Sequence, residues 1–136
     1  METVSASIPS TLDAAALCKM ADRGQIQGGI LDGPLAFDNA ISAQAAEIKH
    51  ITSVVAGHAD ILAVPDLESG NMLAKQLEYL GGATGAGLVL GARVPIALTS
   101  RADGPSARVA SALLAVLAAY DARRERTLRA AALLQD

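Results

Sequence analysis

Aromatic side chains are almost missing from this sequence. Phe37, Tyr79 and Tyr120 are the only three, 2% of 136 residues, and there is no tryptophan. A core without rings must be filled by Ala, Leu, Ile and Val, of which the first two favour helices and the last two strands. Hydrophobic residues make up 51% of the chain, enough for a sizeable core. The lack of rings also removes the stacking platform on which single-stranded nucleic acid is held. No sign of charge dominates: 11 Lys and Arg stand against 14 Asp and Glu, for a net charge of −3. That leaves no basic stripe for a phosphate backbone. Cys18 is the one cysteine, which excludes an internal disulfide, and a lone thiol fits a reducing compartment. The opening METVSASIPS has neither the basic nor the apolar region of a signal peptide. The longest apolar run, Val109 to Tyr120, holds about 12 residues including Ser111, where a membrane span needs about 20. The expectation is a cytoplasmic, non-membrane chain of one-domain length.

What is present reads as α/β. Ser10-Thr11-Leu12-Asp13 has the Ser-x-x-acid form of a helix start, and Leu12, Ala15, Ala16 and Lys19 follow at helical spacing. Gly24 stops that helix, which is expected over 11–23. Gln27 to Leu31, closed by Asp32-Gly33-Pro34, and Asp60 to Val64, closed by Pro65, read as short buried strands. Phe37 to His50 is helical in composition, with Ile41, Ala45 and Ile48 on one face. Gly70 precedes a helix over Asn71 to Leu80, striped by Leu73, Leu77 and Leu80 and ended by Gly81-Gly82. Ala86 to Leu90 and Pro95 to Thr99 form two more strands about Gly91-Ala92-Arg93. A long helix opens at Gly104-Pro105, with Asp103 as its cap and Pro105 in the first helical position, and runs toward Leu134. Helices alternating with nearly all-apolar strands predict a mainly parallel sheet with helices on both faces. In such sheets the working residues lie beyond the carboxyl ends of the strands. Here those loops are Asp32-Gly33-Pro34, the segment from Pro65 to Asn71, and Ser100 to Asp103.

Ser100 and Arg101 follow directly on an expected strand. A guanidinium is a planar, permanently charged fork suited to phosphate, and a neighbouring hydroxyl can bond the same anion. The plainer reading is an exposed ion pair at Arg101 and a turn cap at Ser100. In the second loop, Gly70 at a helix opening offers backbone N–H groups to an anion. Alternatively, Asp66 and Asn71 only fix the helix entry. His50 and His58 lack partners at metal-ligand spacing, so no metal site is expected. Cys18, among Ala16, Leu17 and Met20, reads as a structural thiol. The GGxxGxG run from Gly81 follows a helix and leads into a strand, the reverse of a dinucleotide fingerprint.

The runs DAAALCKMADRGQ (13–25), GGILDGPLAFDNAIS (28–42), ADILAVPDLESGNMLAKQLEYLGGA (59–83) and GLVLGARVPIALTSRAD (87–103) carry a resemblance. In this order and spacing they resemble the phosphate acetyl/butyryl transferase family, over about residues 8 to 120. The resemblance implies an α/β fold like that of the isocitrate and isopropylmalate dehydrogenases, with the active site in a cleft between two domains. It implies exchange of phosphate and coenzyme A on a short acyl group, with CoA as a substrate and no covalent cofactor. It also implies that residues 1–120 are the C-terminal region of a longer enzyme, inactive alone, and that 121–136 form a charged helical extension. The partners implied are acyl-CoA, phosphate, an N-terminal lobe from another chain and a second copy of this one. By the same resemblance Ser100 and Arg101 bind the acyl phosphate. The aspartate that serves acetyltransferase members as base falls near Ala107, where there is none. Asp103 is then either a substitute base or a helix cap, and Asp66, Gly70 and Asn71 are candidate CoA contacts. A non-catalytic binding module derived from the family is the alternative.

Overall fold

The computed structural model describes residues 2–132. They form two compact units, one ending at Leu67 and one beginning at Glu68. The first unit holds α1 (Pro9–Asp22), α2 (Phe37–Ile41) and α3 (Ala43–Ile48). The second holds α4 (Leu67–Tyr79, all but its first residue), β1 (Leu88–Val89), β2 (Ile96–Ala97) and α5 (Pro105–Ala132).

In the first unit α1 starts earlier than the Ser10 motif predicts. Pro9 sits in the first turn, where its missing N–H costs nothing, and Ile8 before it offers no side-chain cap. Thr11 takes over the capping chemistry. Its buried hydroxyl lies 2.7 Å from the Ile8 carbonyl, to which it donates, and accepts from the Ser5 amide at 2.9 Å. The single helix expected over Phe37 to His50 is divided at Ser42. That residue is extended, ends α2, and opens α3 by accepting from the Ala45 amide at 3.3 Å. Past α3 the chain closes with Ile51 N–H on the Ala46 carbonyl at 3.0 Å, and His50 adopts a left-handed φ of 54°. His50 is thus a helix terminator, in a place usually taken by glycine or asparagine.

The centre of this unit is polar. Asn39 is fully buried; its Oδ1 accepts from the Ala36 amide at 3.0 Å and its Nδ2 donates to Glu2 at 2.7 Å. Its carbonyl accepts from Gly57 N–H at 2.7 Å. Gly57 has φ +85°, and a Cβ there would lie 2.5 Å from the Ala43 Cα, so only glycine lets the two segments meet. Lys49 bridges Glu2 and Asp38, at 2.8 Å from each.

The runs from Gln27 to Leu31 and from Asp60 to Val64 are not strands. Ile30 is 76% and Ile61 87% exposed. The expectation of a mainly parallel sheet is corrected accordingly: the sheet described has two strands and is antiparallel, with Leu88 opposite Ala97 and Val89 opposite Ile96. An apolar run signals a tendency to be buried, whereas a strand requires a neighbour to pair with. Neither run finds one.

In the second unit α4 begins at Leu67, so Gly70 and Asn71 lie inside the helix instead of at its entry. α5 packs against both strands. Its expected end at Leu134 lies outside the described residues. Ser111 fixes the packing: it is 1% exposed, donates to the Ala107 carbonyl at 2.7 Å and accepts the Gly87 amide at 3.0 Å. Large apolar side chains are otherwise bare, among them Val109, Leu113, Val116, Leu117 and Tyr120 on α5. The accessible surface is 10611 Å². Two separate compact bodies, each of half this mass, would expose about 8,000 Å² between them. No helix among the described residues is long and apolar enough to cross a membrane.

The Glu2–Lys49–Asp38 cluster has a pH signature. The Lys49 ammonium, foremost among several hydrogen-bond donors, holds the Glu2 carboxyl down at about 2, and it lowers Asp38 as well. Carboxylates with depressed folded pKa values lend stability that is present above their unfolded values and lost as pH falls through the folded ones. The first unit is therefore expected to hold its stability from neutrality down to about pH 4.5, then lose it in stages toward pH 2. Glu2→Gln flattens that decline. Thermal melts followed by circular dichroism at each pH check this, and an unchanged slope in the variant refutes the assignment.

Candidate functional site

The Ser100–Asp103 segment is a closed turn between β2 and α5. Asp103 N–H donates to the Ser100 carbonyl at 3.2 Å, and Ser100 N–H donates to Asp103 Oδ2 at 2.6 Å. Ala102 N–H donates to Ser100 Oγ at 3.3 Å. Asp103 thus reaches back to Ser100 and does not cap α5, which corrects the capping expectation. The reason is local: α5 begins at Pro105, and the turn puts the Ser100 amide within reach of the carboxylate.

Ser100 Oγ accepts one bond and keeps its proton to donate. Arg101 is exposed, and among the described residues its guanidinium makes no hydrogen bond or ion pair. The surface ion pair considered for it is therefore absent from this structure. A turn with hydrogen-bonded ends, an uncommitted hydroxyl proton and an uncommitted guanidinium can hold an oxyanion.

A shallow concavity of about 280 Å³ adjoins the turn. Ala102, Asp103, Ser106 and Ala107 line one side, and Glu78 and Tyr79, at the end of α4, line the other. Ser100 and Arg101 are not among its lining residues. Lys75 pairs with Glu78 at 2.6 Å and lies 5.8 Å from the centre of the Tyr79 ring. Its pKa is raised, first by the Glu78 hydrogen bond and to a smaller degree by the charge of Asp103. A second concavity of about 280 Å³, between the hairpin turn and α5, is lined by Arg93, Arg123 and Arg126 and by no residue predicted as functional.

The structure brings Ser100, Arg101 and Asp103 together in one turn and, within the second unit, leaves Gly70 and Asn71 elsewhere on α4. Asn71 precedes Tyr79 by eight residues of helix, about 12 Å along its axis. Gly70 and Asn71 therefore lie at the far end of α4 from the concavity. Gly70 is the fourth residue of α4, inside the helix and not at its opening. Asp66 is exposed immediately before α4, in the first unit. Asp32 accepts from Gly33 N–H at 2.8 Å, which is turn chemistry. Cys18 is half-buried, its thiol 3.7 Å from the Gly33 carbonyl, and burial pushes its pKa up, which suits a structural thiol.

Four residues that bear on the turn or its concavity escaped the sequence reading. Lys75 and Glu78 carry a readable signal, their i,i+3 spacing on a helix. Ser111 shows as a small polar residue inside an apolar run. Arg108 carries none, because its role depends on where the turn folds back.

The family model described as phosphate acetyl/butaryl transferase matches residues 1–116. The phosphate acetyltransferase of Rhizobium meliloti is 68% identical over 124 residues, which is 91% of this chain and 39% of that protein. That of Rickettsia felis is 72% identical over 115 residues, 85% of this chain and 33% of that one. Among solved structures, a branched-chain phosphotransacylase from Enterococcus faecalis V583 aligns with a TM-score of 0.71 at 34% identity. The alignment covers 85% of this chain and 41% of that one. The chain thus spans between a third and two-fifths of the length of these relatives.

Ser111→Ala tests the framework beneath the turn. It leaves the half-buried Gly87 amide without its side-chain partner, and the second unit is expected to lose about 1 kcal/mol. Denaturant unfolding measures this, with the first unit's NMR signals as the internal reference.

Proposed function

The chain belongs to the phosphate acetyl/butyryl transferase family, and on that premise we propose that it forms the phosphate-gripping wall of an acyltransferase site. The reaction is acyl-CoA plus phosphate giving acyl phosphate plus free CoA. The opposite wall comes from a further lobe outside these 136 residues. One observation carries this reading: Arg101 has no partner among the described residues and stands beside Ser100, in a turn whose ends are hydrogen-bonded.

In the direction of acyl-CoA synthesis, the CoA thiolate attacks the carbonyl carbon of the acyl phosphate. Negative charge grows on the carbonyl oxygen and on the departing phosphate. Arg101 donates to the phosphate oxygens and Ser100 Oγ donates to the same anion, which stabilises charge where it develops. A thiol titrates near 8.5, so a carboxylate that takes its proton helps. Ala107, where the resemblance placed an aspartate, lines the concavity without a carboxylate. Asp103 is the carboxylate of the turn and has one oxygen beyond that bonded to Ser100, so it takes the base role. Asp66, Gly70 and Asn71 are assigned to the CoA portion of the substrate. Acetyl is the favoured acyl group, since both relatives near 70% identity are named acetyltransferases. The family match ends at residue 116, in keeping with a transferase region to about 120 and a charged extension over 121–136. CoA chemistry places the protein in the cytoplasm. Bare apolar side chains on α4 and α5 favour a homodimer.

Two measurements test this reading. CoA release from acetyl-CoA and butyryl-CoA with phosphate is expected to be absent for the chain alone. It appears, with acetyl preferred, when the N-terminal part of the Rhizobium meliloti relative is supplied. In that mixture Arg101→Met lowers turnover by about 10²-fold or more. Full activity from the chain alone overturns the proposed incompleteness. Light scattering is expected to return twice the chain mass, and a monomer mass removes the dimer.

A further inference from the structure

Arg108 has no assigned part in the chemistry above, yet it holds the turn that carries Ser100 and Arg101. Its backbone N–H donates to the Gly104 carbonyl at 3.3 Å, which makes it the first residue bonded into the α5 ladder. From there its side chain turns back along the chain. Nε donates to the Asp103 carbonyl at 3.2 Å, and Nη2 approaches the Ser100 carbonyl at 3.5 Å. Nε and one Nη share an edge of the guanidinium plane, so one rigid group addresses the first and last carbonyls of a four-residue turn. The Ser100 carbonyl already accepts from Asp103 N–H. Arg108 thus adds a side-chain tie across a turn that the backbone alone closes weakly. α5 is itself anchored to β1 through Ser111, so the tie reaches the hairpin as well.

We infer that Arg108 is a positioning residue: its two-donor edge fixes the Ser100–Asp103 turn so that Ser100 and Arg101 are presented together to an anion. This rests on the reading of Ser100 and Arg101 as the phosphate-gripping pair, and it adds how that pair is held. Arg108 does not touch the substrate. Displacement of a binding group by about 1 Å weakens what it does severely.

The experiment uses the whole chain and inorganic phosphate as the probe. Arg108→Met keeps the apolar stem and loses both donors. Arg108→Lys keeps the charge but offers a point donor in place of the planar edge. Backbone amide exchange of Ser100 and Asp103 is followed by NMR, phosphate affinity by titration and melting by circular dichroism. In Arg108→Met, both amides are expected to exchange roughly tenfold faster and phosphate to bind roughly tenfold more weakly, with melting unchanged. Arg108→Lys falls between wild type and Met on both readouts. Unchanged exchange in Arg108→Met overturns the inference. So does unfolding of the second unit, which makes the role merely structural, or full restoration of affinity by lysine, which makes it charge alone. An Arg101→Met variant with wild-type phosphate affinity sinks the reading of the pair instead. The exchange rates then still decide whether Arg108 fixes the turn.

Discussion

The hydroxyl of Ser111 is the bond on which the second unit's geometry depends. β1 and β2 are two residues each, and a hairpin that short does not stand in water unaided. α5 lies against it, and the buried Ser111 Oγ takes the Gly87 amide that would otherwise face apolar surroundings without a partner. Gly87 has to be glycine at this point, because a Cβ would collide with the Leu98 carbonyl. Once α5 is located in this way, its first turn locates what precedes it. Arg108 reaches back to the Ser100–Asp103 segment, and the side chain of Arg101 leaves the chain from there. The point from which the Arg101 side chain leaves the backbone is therefore held by contacts made from residues seven and ten positions downstream.

Much of this unit was legible from local signals. Gly104-Pro105 opens α5 because proline fits the first helical turn, and the Leu stripe that marks α4 is local in the same sense. The misses have a common cause, in that one residue pattern serves two hydrogen-bonding habits. Ser10 and Asp13 spell a capping box, but Pro9 and Thr11 satisfy the same end of α1. Ser42 sits in a stretch of helical composition, and only its side-chain bond to Ala45 makes it a boundary. Asp103 before a helix reads as a cap until the turn puts the Ser100 amide within its reach. Ser100, Arg101 and Asp103 are neighbours in sequence and need no tertiary pairing to meet, whereas Gly70 and Asn71 would need a long-range approach that the second unit does not make.

The runs at 27–31 and 60–64 expose a different limit. Their composition states a demand for burial and says nothing about what answers it. In a chain that is 51% hydrophobic, the buried apolar residues among those described are Ala40, Ala46 and Ala56. Longer side chains, including Ile30, Ile61, Leu113 and Leu117, face outward. Covering five large apolar side chains on α5 is worth on the order of 10 kcal/mol, comparable with the whole stability of a domain. A difference of that size between pattern and structure is what the proposed second lobe and second copy account for. It agrees with a chain that spans 39% and 33% of two relatives near 70% identity.

The same exposure governs the chemistry. A guanidinium and a phosphate 4 Å apart attract by only about 1 kcal/mol in bulk water, and by about 4 kcal/mol where a protein surface lowers the effective dielectric. Transition-state stabilisation of 10²-fold or more from such a contact requires a site from which water is excluded. The Ser100–Asp103 turn has the ordered donors, and its adjoining concavity is shallow and open on one side. It can select an anion and orient it. On the proposed reading, the dry, enclosed setting that acyl transfer requires is supplied by the further lobe, and the turn by itself would bind an anion without the acceleration.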